Sequence, residues 1–508
     1  MKITVNSDKI THTQHNFWNN IHFHPTDAIE DDWGKRILDE VSRENVAQNV
    51  RLYTMMEDIV TEVNGELSFD FTDNDTRLDY LVSRGFKPLL CYAFIPPFLA
   101  DQPDVTSSVA KGKTRYKGKM IVASKAKDYS VWQEICRRYT LHILDRYGAE
   151  EVSSWHLQCY NEPDIGAFFM GDLKGDPAAD AMIRLREYKK LYRAFADGID
   201  NACSDMGIGK LTIGGPALAH HLNFLEGFLE YTSKNNIHLD YVCAHNYGTY
   251  PQALHSGEKP LDVENNYNKY IAYKEVLDKY YPDGIEFIMD EWGASSAGFA
   301  DKDTTPEMLF RETEVYAAYF GKMVTRFVER GADISKLLIC LSGQHEMTED
   351  FSGFRNFFSL NFIKKPIYNA FAALRKLHGN IIFHGELPQN TTLLATKNNS
   401  EEYSLLYTYS SKNFDEELGD LHIQTEISGM KNAKKHVKVY RIDKDHINPY
   451  RVYCQKGWTP DLSEEQIREL RAIAQFVPCE EFDAKVSDGK MILETILTDN
   501  CLILVEIY

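Results

Sequence analysis

Eight short apolar runs, separated by longer amphipathic segments, organise most of this 508-residue chain. Each run has the length of a buried strand, whereas the segments between them carry apolar residues at helical spacing. The predicted helices include Tyr129 to Tyr147, Arg184 to Met206 and Thr305 to Gly331, and Gly207 and Gly331 are expected at the C-terminal ends of the last two. The runs cover residues 16–25, 49–53, 88–94, 155–163, 211–216, 241–247, 285–293 and 336–342. Eight such units over residues 16 to about 375 predict an α/β fold, a (β/α)₈ TIM barrel.

The pattern changes after about residue 380, where short strand-like runs follow one another closely. One helical insertion, Ser463 to Ala474, interrupts them. This spacing is typical of an antiparallel β-sandwich. Met1 to Val5 is also strand-like and is expected to join that sheet. We therefore predict a catalytic barrel over 15–378 and a discontinuous β-sandwich accessory domain built from 1–14 and 379–508.

The formal net charge of −19 argues against nucleic acid and anionic membranes as partners, because both repel an acidic surface. The N-terminus shows no apolar core of signal-peptide length, and no apolar run is long enough to span a bilayer. The nine cysteines are scattered without framework spacing, which indicates reduced thiols. These features predict a cytoplasmic protein.

Two of the predicted strands end at a carboxylic acid. Glu162 follows Asn161 and precedes Pro163, which cannot continue a strand ladder, and Glu291 follows Asp290 on the seventh strand. A lone Asn-Glu-Pro is more often a surface strand end than a catalytic motif. Two Glu at the carboxyl ends of two barrel strands, however, indicate glycoside hydrolysis, which uses one protonated and one ionised carboxyl.

These two motifs resemble those of the retaining (β/α)₈ glycosidases, and the finer match is to glycoside hydrolase family 39, the β-xylosidase and α-L-iduronidase family. The resemblance runs in order along most of the chain. Its further motifs are Asp145-Arg146-Tyr147-Gly148, Gly214-Gly215-Pro216, His245-Asn246-Tyr247, Lys365 to Phe371, Tyr440 to Asp443 and the run from Asn448 through Gly457.

The resemblance implies that Glu162 is the general acid/base and Glu291 the nucleophile of a double displacement. It also implies that Asn161 holds the sugar 2-hydroxyl, that Tyr247 bonds the nucleophile and that His245 lines the same floor. Spacing alone would make the last two a packed polar pair in the barrel core.

Two further positions, Tyr53 and Trp292, complete the predicted substrate-binding set. The mechanism that the resemblance implies requires neither a cofactor nor a metal, and we expect none. The resemblance is compatible with a homo-oligomer.

The chain departs from the family pattern at two positions beside the sugar. After the strand-two Arg51 it has Leu52 and Tyr53 where the family often has His, and strand eight, Cys340 onwards, lacks the expected Trp. The identity of the sugar is therefore open. An iduronate-type sugar needs a cation for its carboxylate, and strand eight offers none before Arg355, which favours a neutral sugar.

The long connections 95–127, with a basic stretch at 111–119, and 248–261 are predicted walls of the barrel mouth. Their aromatic residues, among them Tyr92, Phe94, Phe98 and Tyr250, are either sugar platforms or core. A closed wall would give a pocket that removes one terminal sugar from a short oligosaccharide or glycoside, which is exo action. The basic stretch is equally well explained as a solvated loop.

Two other functions fit parts of the sequence. His22 and His24 at the end of strand one, with His220, His221 and His245, resemble the metal site of an amidohydrolase-type barrel, although the strand-four lysine and strand-eight aspartate of that class are not apparent. A non-catalytic carbohydrate-binding protein on the same fold is the second alternative. The presence of both Glu162 and Glu291 argues against it.

Overall fold

The computed structural model describes residues 1–13, 16–23, 29, 32–107, 121–250, 259–298, 300–341, 347–414 and 416–508. The strands are β1 Lys2–Thr13, β2 Asn20–Phe23, β3 Asn49–Tyr53, β4 Val60–Val63, β5 Glu66–Phe69, β6 Lys87–Tyr92, β7 His156–Cys159, β8 Ile213–Leu218, β9 Tyr241–Thr249, β10 Glu286–Ser295, β11 Lys336–Leu341, β12 Asn380–His384, β13 Thr391–Lys397, β14 Tyr403–Tyr409, β15 Leu421–Ser428, β16 Lys434–Ile442, β17 Glu480–Lys485, β18 Lys490–Leu497 and β19 Cys501–Ile507. The helices are α1 Asp32–Arg43, α2 Met56–Ile59, α3 Thr72–Ser83, α4 Tyr129–Tyr147, α5 Ala149–Val152, α6 Pro177–Met206, α7 Leu222–Lys234, α8 Glu264–Tyr280, α9 Glu314–Glu329, α10 Pro366–Arg375, α11 Pro449–Gln455 and α12 Glu464–Ile473, with a 3₁₀ helix at Pro306–Glu312.

Eight parallel strands close into a barrel in the order β2-β3-β6-β7-β8-β9-β10-β11, and β11 pairs back onto β2. The predicted (β/α)₈ fold is confirmed. Helix α4 begins at Asp128, whose side chain accepts a hydrogen bond from the Ser130 N–H. The helix predicted over 305–331 is divided, because extended Thr313 ends the 3₁₀ helix and caps α9 with its side chain.

The second β-rich domain is also present, as one nine-stranded sheet in the order β17-β16-β19-β14-β13-β12-β1-β15-β18. Its pairs are antiparallel except for β1 with β15, which are parallel. The Tyr407 hydroxyl of β14 donates to Thr425 Oγ1 of β15 at 2.9 Å, although three strands separate β14 from β15 within the sheet. The sheet therefore folds over on itself and encloses its own apolar core.

The N-terminal strand β1 lies inside this sheet. It pairs with β12, where Val5 is opposite His384, and with β15, where Ile3 is opposite Thr425. The side chains of Ile3 and Val5 are fully buried in the core of the sheet. On these contacts we propose the division into 15–378 and a discontinuous domain of 1–14 with 379–508.

None of the helices in the described ranges is long and apolar enough to cross a bilayer.

Candidate active site

Glu162 and Glu291 line one cavity of about 250 Å³ at the carboxyl ends of the barrel strands. Strand β7 stops at Cys159, and Tyr160 and Glu162 then adopt positive φ angles of 64° and 45°. The Glu162 N–H bonds to the Ala217 carbonyl at 3.0 Å, which holds this uncommon turn in place. A carboxylate oxygen of Glu162 lies within 4.8 Å of one of Glu291. The structure thus brings the two predicted carboxyls together.

Glu291 is buried among donors. Arg51 Nη1 donates to its Oε1 at 2.8 Å, the Tyr247 hydroxyl to its Oε2 at 2.6 Å, and the Tyr53 hydroxyl reaches Oε1 at 3.4 Å. A guanidinium and two hydroxyl groups directed at one carboxylate stabilise its ionised form.

Arg51 joins the strand ends beneath the cavity. Besides Glu291, its guanidinium donates to Gln158 Oε1 at 2.9 Å and Asn161 Oδ1 at 2.8 Å, and its Nε lies 3.2 Å from Asp290 Oδ2. Burial by itself would lower the pKa of Arg51, but the nearby carboxylates, Asp290 foremost, raise it well above the ordinary value. Because the Asn161 oxygen is engaged by this cation, its NH₂ group is the part available to a ligand in the cavity that Asn161 lines.

His245 connects the two carboxyls. Its Nδ1 lies 2.7 Å from Glu162 Oε1, and its Nε2 lies 3.6 Å from Glu291 Oε1 and 3.8 Å from Asp290 Oδ2. Burial would lower the pKa of His245, but Glu291, Asp290 and Glu162 raise it to about 10. The ring is therefore an imidazolium that donates to Glu162 through Nδ1.

Burial raises the pKa of Glu162 above its ordinary value, and the negative charges of Glu291 and Asp164 act in the same direction. The charge and hydrogen bond of His245 act against this rise. The net direction is toward the protonated form of Glu162, and His245 holds its Oε1.

Several lining residues were not predicted as site residues. Arg355 Nη1 donates to the Tyr247 hydroxyl at 2.7 Å, and Lys269 forms part of the wall near Glu162 beside His220, which was named only as a ligand of the metal-site alternative. The sequence singled out Arg355 only as the first cation after strand eight, and Lys269 carried no signal because it belongs to helix α8. Among the residues described, the lining consists of Asn161, Glu162, Ile165, Phe168, Ala219, His220, Tyr247, Tyr250, Lys269, Glu291, Ser296, Gly298 and Arg355.

Trp292 does not belong to this site, which corrects the prediction that it binds substrate. Its ring is fully buried and stacks on Phe320 of α9, with ring centroids 4.9 Å apart. The register of β10 against β9 shifts between Ile288 and Glu291, and Asp290 and Glu291 both reach Arg51 while Trp292 turns to the helix layer. Tyr92 is likewise core, packed edge-on against Tyr139 and Phe195.

The histidines of the metal-site alternative do not converge. Arg51 Nη1 lies 2.6 Å from His22 Nδ1, so a cation already occupies that side of the ring. His220 and His221 lie beside Asp164, both of whose oxygens accept backbone N–H groups. Among the described residues, ligand-type atoms approach within 4.8 Å in three groups; His22, His245 and the His220–His221 pair each belong to a different one, although Glu291 is common to the groups of His22 and His245. His24 lies outside the described residues.

The predicted loop walls are described only in part. Residues 95–107 and 121–127 run side by side, with antiparallel bridges Ala100–Ala126 and Thr106–Val122. The basic stretch 111–119 and residues 251–258 and 342–346 lie outside the described part of the chain, whereas Tyr250 lines the cavity. Phe94 is buried behind the wall and packs on the lining residue Phe168.

Comparison with known proteins gives a consistent result. The model of the family described as glycosyl hydrolases family 39 matches residues 1–489. A β-xylosidase from Caldicellulosiruptor saccharolyticus is 27% identical over 500 residues, covering 92% of this chain and 91% of that protein. A β-xylosidase from Geobacillus stearothermophilus is 22% identical over 466 residues, covering 88% and 82%. The crystal structure of a monomeric β-xylosidase from Caulobacter crescentus CB15 shares the fold, with a TM-score of 0.81, 20% identity and coverage of 100% of this chain and 99% of that one.

Proposed function

This chain belongs to glycosyl hydrolases family 39 and is a glycosidase, and on that premise we propose that it is a retaining, exo-acting enzyme of the β-xylosidase type. In this proposal Glu291 is the nucleophile and Glu162 the general acid/base. The substrate is a short oligosaccharide or glycoside from which one terminal sugar is released.

The distance between the two carboxyls carries the proposal. Retaining glycosidases place their carboxyl groups about 5 Å apart, whereas inverting enzymes need roughly 6.5–9.5 Å to admit a water. One carboxylate oxygen of Glu162 and one of Glu291 lie within 4.8 Å of each other, which supports direct attack by Glu291 on the anomeric carbon.

The first step follows from the two environments. Ionised Glu291, held by Arg51 and Tyr247, attacks the anomeric carbon while Glu162 donates its proton to the glycosidic oxygen, so the leaving group departs neutral. In the second step Glu162, now a carboxylate beside the His245 imidazolium, takes a proton from water, which displaces Glu291 and restores the original anomeric configuration.

The remaining predicted residues orient either the sugar or the nucleophile. Asn161 presents its NH₂ group to the sugar 2-hydroxyl, a contact that strengthens as the oxocarbenium-like transition state forms. Tyr247 and Tyr53 hold the two oxygens of Glu291 in the direction of attack.

The β-xylosidase names of the two relatives support a pentose, and the small cavity supports removal of a single terminal sugar. A screen of aryl β-xyloside, α-arabinoside and β-glucoside tests the sugar, with the xyloside expected to react fastest. A product time course on a defined tetrasaccharide tests exo action. Early dimers without monosaccharide would contradict the pocket model.

Arg355 favours a second candidate, a terminal sugar that bears a carboxylate. The prediction of a neutral sugar used the lack of a cation on strand eight before Arg355, and the structure brings Arg355 itself into the cavity wall. An aryl uronide in the same screen distinguishes the two candidates. Faster hydrolysis of the uronide, lost in Arg355→Met, would replace the pentose proposal.

We also propose that the enzyme is cytoplasmic, because all nine cysteines are free thiols. Cell fractionation tests the compartment. The homo-oligomer compatible with the family resemblance is tested by light scattering of the purified enzyme.

A further inference from the structure

Lys269 differs from the other lysines of its helix. On α8, Lys274 pairs with Asp278 at 2.7 Å and Lys279 pairs with Glu226. Lys269 instead turns into the cavity wall, where its Nζ donates only a long bond of 3.4 Å to the Ala219 carbonyl, and no carboxylate of the described residues lies within ion-pair distance. A half-buried ammonium with one weak acceptor retains hydrogen-bonding capacity for a ligand.

The position of Lys269 relates it to one side of the scissile bond. The general acid protonates the glycosidic oxygen, so the leaving group must lie beside Glu162. Lys269 Nζ reaches the Ala219 carbonyl, and the Ala219 N–H donates to Asp164, two residues after Glu162. Lys269 therefore belongs to the leaving-group side of the cavity.

The charges around Lys269 explain why it is not already neutralised. Asp164 is the acidic residue whose charge acts most strongly on the pKa of Lys269. Its two oxygens, however, accept hydrogen bonds from the backbone N–H groups of Ala219, His220 and His221. Burial lowers the pKa of Lys269 to about 8, even though Asp164 and Glu162 act to raise it. Burial lowers the pKa of His220, and the charge of Lys269 acts in the same direction.

We propose that this wall recognises a leaving group that carries a carboxylate, with Lys269 as its counter-ion, an inference that rests on the proposed function. The chemical class is an acidic aglycone, either a uronic acid residue next in the chain or an aromatic acid. The apolar side chains of Ile165 and Phe168 on the same wall provide a surface for the body of such a group.

The test compares two aryl glycosides of whichever sugar the wild-type enzyme hydrolyses fastest. Both carry a 4-nitrophenyl leaving group, one with a carboxylate at ring position 3 and the other with a carboxamide. We expect wild-type kcat/KM to favour the carboxylate by about tenfold, the size of one charge-assisted hydrogen bond. The ratio should fall to near one in Lys269→Met, persist in Lys269→Arg, and stay at the wild-type value in Lys274→Met.

The pH dependence of the same ratio gives a measurement on the unmodified enzyme. Lys269 is protonated below its pKa of about 8, so the preference should be complete below that pH and disappear above it. Taking the ratio of two substrates removes the titration of Glu162 and His245, which both reactions share. The described charged and titratable groups facing Lys269 are Glu162, Asp164, His220, His221, Tyr250 and Tyr273.

A wild-type ratio near one, or a preference that survives in Lys269→Met or is independent of pH, would overturn the inference while leaving the glycosidase intact. Failure to hydrolyse any aryl glycoside would overturn the proposed function and this inference with it. A second pair of substrates consists of a disaccharide whose leaving residue is a uronic acid and its neutral counterpart. Comparing the carboxylate preference in this pair with that in the aryl pair shows which source of carboxylate is preferred.

Discussion

Glu162 and Glu291 occupy corresponding places on the barrel, yet their surroundings are almost opposite. Glu291 lies within β10, whose pairing with β9 shifts register just before it, and accepts hydrogen bonds from a guanidinium and from tyrosine hydroxyls. Glu162 lies beyond the end of β7 in a left-handed turn, and its described side-chain partner is His245 alone. These surroundings are the basis of the proposed roles, Glu291 as an anion and Glu162 as an acid.

The largest expected effect comes from removing the anion. Glu291→Ala should lower kcat by at least about 10⁴-fold, because it removes the proposed nucleophile of the covalent intermediate. Added azide should restore turnover and give a product of inverted anomeric configuration, measured by NMR. Glu286→Ala is the matched control, since Glu286 lies on the same strand and pairs with Lys336 at the opposite end. Near-normal activity of Glu291→Ala would show that the roles are wrongly assigned.

Removing the acid should have a smaller effect that depends on the substrate. Glu162→Ala should lower kcat/KM by about 10²- to 10⁴-fold for unactivated glycosides, but much less for nitrophenyl glycosides, whose leaving groups need no proton. The measurement is a series of aryl glycosides of increasing leaving-group pKa. An equal loss across the whole series would mean that Glu162 does not act as the acid.

The hydroxyl of Tyr247 tests how Glu291 is stabilised as an anion. Tyr247→Phe removes the bond to Glu291 Oε2 and the acceptor for Arg355. We expect kcat to fall about 10- to 100-fold, the value of a hydrogen bond to a charged group. Because Glu162 is not involved, the dependence on leaving group should not change. A changed dependence would place Tyr247 on the acid side instead.

The pH dependence of His245 variants tests the environment of Glu162. The charge of His245 lowers the pKa of Glu162, so removing that charge should raise this pKa and move the alkaline limb of kcat/KM to higher pH. His245→Asn keeps a donor near the Nδ1 position without the charge, whereas His245→Ala removes both. We expect the upward shift in both variants and a further loss of kcat, about tenfold, only in His245→Ala. A downward shift in His245→Asn would contradict the imidazolium.

Substitutions in the β-rich domain are expected to have the smallest effect on the two carboxyls. Ile3→Ala should lower the free energy of unfolding by about 2–5 kcal/mol, because Ile3 is fully buried between β12 and β15. The exposed neighbour Thr4→Ala is the control. Neither variant should change kcat/KM below the unfolding transition. A catalytic defect in folded Ile3→Ala would argue against the proposed domain division.

Local pattern was sufficient for the barrel strands and for the two catalytic candidates. It failed where a break is a single residue, as at Thr313 between the 3₁₀ helix and α9. Trp292 was misplaced next to a register shift in β10, where Asp290 and Glu291 both reach Arg51 and a two-residue alternation does not hold.

The amino-acid sequence by itself determined the barrel and the end of the strand before Glu162, because periodicity and strand-ending residues act over a few neighbouring positions. The strand of Glu291 was predicted to stop there, but β10 continues to Ser295. Only the tertiary structure decided which partners those carboxyls have. Arg51 meets Glu291 across 240 positions, and Lys269 lines the same cavity although it belongs to helix α8. Such contacts depend on closure of the sheet, which sets distances between strand ends that no local pattern records.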